Sequence, residues 1–165
     1  MARAESTSAE GLAIAREAGD VRGEAVTLTN LAYARTLDGD HAGAEKLLED
    51  ALVAVRSIND AYGIAVCSSD LAQLAIRRRD IDRAADYLSQ SVPLSASIDS
   101  VLVLAQALPA VAAVALARGD SVSAARLCAV CDAICGDHGF DLDQVTLALL
   151  RDTIEQARAN LGDGF

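Results

Sequence analysis

Aromatic side chains are scarce in this chain of 165 residues. There is no tryptophan, and only Tyr33, Tyr62, Tyr87, Phe140 and Phe165 carry phenyl or phenol rings. The apolar half of the composition (52%) is largely alanine, at 34 copies. Alanine is the best helix former and lets helices approach closely, so it builds a core of tightly spaced helices. With two prolines and few β-branched runs, nothing in the chain favours a sheet. The sequence reads as all-α.

Positive charge is also in short supply, with 14 basic against 24 acidic side chains and a net charge of −10. Such a surface repels phosphate backbones and anionic lipids, which excludes nucleic acid and membrane as partners. The opening MARAESTSAEG has no apolar core and is not a secretory signal. Four cysteines without such a signal point to free thiols in a reducing, cytoplasmic setting. The uncharged run VLVLAQALPAVAAVALA (101–117) is 17 residues long. It falls short of the roughly 20 strongly apolar residues of a membrane span. It also carries Gln106 and Pro109, and reads as a helix buried in protein. Ser-His-Asp sets, paired buried carboxylates and glycine-rich phosphate loops are all missing, so neither an enzyme nor a cofactor is implied.

What the chain does have is a beat of forty residues. Turn signals recur at Gly39-Asp40, Arg79-Asp80 and Gly119-Asp120, with a second series at Gly19-Asp20, Asn59-Asp60, Ile98-Asp99 and Gly136-Asp137. Small or apolar residues keep the same register: Ala44, Ala84 and Ala124; Ala25, Ala65 and Ala105; Leu48, Leu88 and Cys128. The spacing predicts eight helices near 3–18, 22–38, 41–57, 62–78, 81–97, 101–118, 121–136 and 142–160. Asp40, Asp80 and Asp120 are expected to N-cap the second helix of each pair, and Asp141 the last helix. Pro93 and Pro109 are expected to kink the helices that hold them. Each helix can bury its stripe only against sequence neighbours, which makes the stack a solenoid.

The stretch NLAYARTLDGDHAGAEKLLEDAL (30–52) resembles a tetratricopeptide repeat, stretched to forty residues from the usual 34. Helical hairpins of the HEAT type are the alternative at this period. The longer form resembles the helical repeat regions of LuxR-type and maltose-regulator-type bacterial proteins and of cyclase-linked ATPases. Residues 119–162 resemble the C-terminal stretch of such proteins. The resemblance implies a right-handed α-α superhelix of antiparallel hairpins, forming one domain over 1–165. Its parts are a half-repeat at 3–18, repeats at 21–60, 61–99 and 100–139, and a terminal helix at 142–160. Residues 11–20 align with 51–60, the second half of a repeat, so the chain reads as a fragment of a longer protein. The implied function is a non-catalytic protein- or peptide-binding module. It would be the regulatory or sensor part of a bacterial transcriptional regulator or signalling ATPase, working without a cofactor, with other domains of the same parent among its partners. A structural spacer or oligomerisation segment is the alternative, and Leu12 and Ile14 on helix 3–18 suggest a weak homodimer.

Two sets of residues invite a chemical reading. CAVCDAIC (128–135), followed by Asp137 and His138, has the composition of a metal site. The repeat alignment instead puts Cys128 over Leu48 and Leu88, and Cys131 over Ala51 and Ser91, which are packing positions. A continuous helix from Cys128 to His138 would also rise about 15 Å, too far for ligands to converge on one ion. The second set is the groove that the resemblance assigns to the first helix of each hairpin: Asn30, Tyr33, Asp70, Gln73, Arg77 and Gln106. The lysine-asparagine clamp of chaperone-binding relatives is not reproduced, since Thr29, Tyr33, Asp70, Gln106 and Ala110 occupy its places. The expected ligand is an extended or helical segment, with Arg77 meeting an acidic side chain.

Overall fold

The computed structural model describes residues 2–162, with side chains from Glu10 onward. These residues form eight helices and no strand: α1 (Ala2–Ala18), α2 (Val21–Leu37), α3 (His41–Ser57), α4 (Ala61–Arg77), α5 (Ile81–Ser97), α6 (Val101–Ala117), α7 (Ser121–His138) and α8 (Gln144–Leu161). Helices α2 to α6 are each 17 residues long, and their starts are spaced by 20 residues.

The beat has a local cause at each end of each helix. Asp20, Asp40, Asp60, Asp80, Ser100 and Asp120 are N-caps, each accepting the backbone N–H three residues on. Just before each cap, one residue turns left-handed, as at Gly39 (φ 83°), and the cap's own N–H returns to the carbonyl five residues back. Asp40 N–H to Arg35 O, at 2.9 Å, is one example. This wrap satisfies the last carbonyls of one helix while the aspartate satisfies the first amides of the next. Three of these left-handed positions are not glycine: Asn59, Arg79 and Asp99.

Packing repeats at forty as well. Ala44, Ala84 and Ala124 are wholly buried, and Leu48, Leu88 and Cys128 lie one helical turn beyond them, also buried. Small residues at this register bring paired helices together, and the larger ones fill the space beside them. Three contiguous apolar clusters result. One lies among α2, α3 and α4, one among α4, α5, α6 and α8, and one among α6, α7 and α8. Helices run unbroken through Pro93 and through the buried Pro109. No helix among the described residues is long and apolar enough to cross a membrane.

Three local expectations are corrected. The turn before α6 is Asp99-Ser100 and not Ile98-Asp99, because Asp99 takes the left-handed conformation (φ 51°) and the Ser100 hydroxyl does the capping. Gly136 stays helical, and α7 ends instead at Gly139 (φ 67°), whose N–H reaches Cys135 O at 2.9 Å. The last helix is capped by Asp143 and not Asp141, since Asp143 accepts the N–H groups of Val145 and Thr146. As a result α8 starts three residues later than a strict beat of 20 from Ser121 would place it. It still packs on α6 and α7, but it also reaches α2.

At the other end α1 stacks on α2. Of the two residues expected to offer an uncovered face, Leu12 packs against the first cluster and only Ile14 is well exposed, at 66%. The reason is angular: residues two apart on a helix point to nearly opposite sides.

Candidate functional site

The even-numbered helices α2, α4, α6 and α8 lie side by side and form one face of the stack. A cavity of about 390 Å³ opens on that face, lined from all four helices and from the Asp143 cap. Asn30 and Tyr33 come from α2, Asp70 and Gln73 from α4, Gln106 from α6, and Val145 and Thr146 from α8. Five of the six groove residues expected from the sequence therefore meet at one place. Asn30 and Tyr33 are exposed, while Asp70 and Gln106 are half-buried.

Gln73 and Arg77 have a different task, which is to hold α8. Gln73 is only 3% exposed, and its Nε2 donates to the Thr146 hydroxyl at 3.1 Å. The single Thr146 proton goes to Asp143 Oδ2 at 2.6 Å. That links α4, α8 and the cap in one buried relay. Arg77 donates to the Val145 carbonyl at 3.2 Å and lines a separate cavity with Asp152 and Gln156. It bonds to α8 and stays exposed, and the sequence suggested an acidic partner for it. Its neighbour Arg78 pairs with Glu45 of α3, and Arg79 forms the turn.

The feature that sequence reasoning missed is the pairing of Asp70 with Asp143. They are 73 positions apart, and no spacing rule could have joined them. Burial, and next the nearby Asp143 carboxylate, push the Asp70 carboxyl up to about 7. Asp143 is held by its capping bonds, but no hydrogen-bond donor or cation reaches Asp70 among the described residues. Among the described residues, these two are the only charged side chains that line the cavity.

A second cavity, also about 390 Å³, adjoins the first and shares Thr29 and Val66 with it. Its walls are Ala25, Val26, Val55, Tyr62 and Cys67, and an Arg22–Asp60 ion pair at 2.9 Å lies at its edge. Val26 and Tyr62 are each about half exposed. The groove thus has an apolar end and an acidic end.

The cysteines have a packing explanation. Cys131 Sγ donates to Ala105 O at 3.4 Å, and forty residues earlier Ser91 Oγ donates to Ala65 O at 2.8 Å. The thiol is the same inter-helix bond in the next repeat. Burial pushes Cys131 and Cys67 up to about 12 and Cys128 to about 11, so these thiols stay protonated and unreactive at neutral pH. α7 is continuous through Gly136, which keeps Cys128 and His138 far apart along its axis.

Comparison with known proteins agrees with this geometry. Residues 23–97 match the family model of the tetratricopeptide repeat. Crystal structures of the kinesin-light-chain-like, nearly identical TPR-like repeats from Podosopora anserina superpose with a TM-score of 0.54, at 16% identity, over 93% of both chains. A point variant of those repeats gives 0.55 at 16% identity, over 94% of this chain and 93% of that one. No curated protein matches the chain.

Proposed function

We propose, for a TPR-like stack of this kind, that the chain is a non-catalytic module that binds a protein or peptide in the groove along α2, α4 and α6. Tetratricopeptide repeats generally mediate protein–protein interaction. One observation carries the reading here: Asn30, Tyr33, Asp70 and Gln106 converge on a cavity, and none of them has a hydrogen-bond partner among the described residues. Free amide, phenol and carboxyl groups over an apolar floor suit an extended segment, which brings its own donors and acceptors. We further read 1–165 as one repeat domain, the regulatory or sensor part of a bacterial transcriptional regulator or signalling ATPase in the cytoplasm, with no nucleic-acid contacts of its own. Ile14 supports weak self-association through α1.

The test is a hydrogen-exchange footprint with bound extended peptides, repeated on Asn30→Ala and Tyr33→Ala. Protection along α2, α4 and α6, weakened by either substitution, is the expected result. Binding that protects α3 and α5 instead, and that ignores both substitutions, makes the groove irrelevant. Absence of any peptide binding favours a structural spacer.

A further inference from the structure

Resting on that reading, we infer the chemistry of the occupant: an extended peptide with a lysine or arginine three to four residues from an aliphatic side chain. The cation lies between Asp70 and Asp143, and the aliphatic group packs against Val26, Tyr62 and Val66. Three independent features of the groove lead here. First, the described residues that line the acidic cavity include two carboxylates and no cation, with neutral Asn30, Gln106 and Tyr33 beside them. An entering ammonium or guanidinium would gain charge-assisted hydrogen bonds from a carboxylate that has no donor now. An acidic or apolar side chain in the same place would leave that carboxylate without a donor, and a neutral amide would bond to it without balancing its charge.

Second, the adjoining cavity is apolar where the first is charged. The one ion pair at its edge, Arg22–Asp60, is already internally matched. It therefore selects an aliphatic side chain and no second charge. Third, the spacing between the two ends follows from α4, which contributes Tyr62 to one and Asp70 to the other. Eight residues of helix rise about 12 Å, and an extended chain covers that in about three to four residues. The overall charge of −10 attracts cationic segments in the same sense.

The groups that titrate around this place are few. On its own helix Asp70 is near Cys67, which burial keeps protonated; α2 brings Tyr33, α8 brings Asp143, and α6 brings only neutral Gln106. Affinity for the cation should accordingly rise between pH 6 and pH 8 as Asp70 ionises, and Asp70→Asn should remove that dependence.

The experiment uses acetylated, amidated octapeptides with one leucine in a Gly/Ser/Ala background. Each of the five positions after the leucine is varied among Lys, Arg, Gln and Glu, and binding to the 165-residue chain is measured by fluorescence anisotropy. Lys or Arg three or four positions away should bind about tenfold tighter than Gln. Glu should be weakest, and Asp70→Asn should erase most of the difference. Asp143→Asn is the second variant, because asparagine caps a helix as well as aspartate does and α8 should stay in place. Peptides that bind without preference for a cation, or with a preference for Glu, overturn this inference and leave the peptide-binding function standing. If no peptide binds at all, both fall.

Discussion

The hairpins between α2 and α6 and the final pair α7–α8 are made of similar residues, yet they end up in different relations to the groove. In the first region each turn repeats one solution: a left-handed residue, then a cap, 20 residues after the last. In the second, the left-handed Gly139 keeps the beat, but Phe140 stands where a cap would follow and the cap moves to Asp143. A helix that keeps the beat becomes the next wall of the stack. One that starts three residues late still covers its neighbours, but its first turn leans into the groove, where Thr146 meets Gln73 and Asp143 faces Asp70. The difference shows that the regular part builds the groove and supplies one carboxylate to it, while the irregular part adds the second.

The largest test of this comparison is to relieve the carboxylate pair that joins the two regions. Asp70 has a folded pKa of about 7 against an ordinary 3.8. The folded state therefore holds its proton more tightly than the unfolded chain. Stability from this group is intact below about pH 4, declines as pH rises, and levels off above about pH 7. Asp70→Asn should thus be no more stable than wild type at pH 4 and more stable at pH 8, by on the order of 2 kcal/mol. Urea unfolding at both pH values measures it. A variant difference that does not change with pH would mean that the two regions are not electrostatically opposed.

A smaller effect should follow from cutting the tether while leaving the regular hairpins alone. Thr146→Val keeps shape but leaves the buried Gln73 amide without its acceptor. We expect about 1.5 kcal/mol of local destabilisation, seen as faster hydrogen exchange over 144–161 with α2–α5 unchanged. Equal loss of protection throughout would show that α8 is integral to the stack and not a separate cover over the groove.

The smallest prediction lies within the regular region. Arg79 holds the left-handed position (φ 62°) that Gly39 and Gly119 hold in the flanking repeats. Arg79→Gly should stabilise the protein by about 0.5–1 kcal/mol, because glycine takes this conformation without a Cβ clash. Thermal unfolding reads the shift. A loss of stability would assign Arg79 a contact that outweighs its backbone strain.

Much of this architecture was legible in advance because its causes are local. Asp40, Asp80 and Asp120 cap the helices they were expected to cap, and the alanines at 44, 84 and 124 are buried as their register required. Asp99-Ser100 was misread by one residue because both serine and aspartate cap helices, so the side chains alone do not locate the turn. Asn30, Tyr33, Asp70 and Gln106 could be named because the repeat resemblance puts the first helix of each hairpin on the groove and the helical period sets which side chains share a side.

By itself, then, the sequence determined the helices, their order, the beat of 20 and forty, and which face of each first helix is free. Capping, left-handed turns and helical period act over six residues or fewer, so they can be read along the chain. Only the tertiary structure decided that α8 leans across that face, that Gln73 and Arg77 bond to it, and that Asp143 comes to rest beside Asp70. Those outcomes depend on small offsets at each turn, summed across four helices, and on a carboxylate pair joined through space across 73 residues of chain.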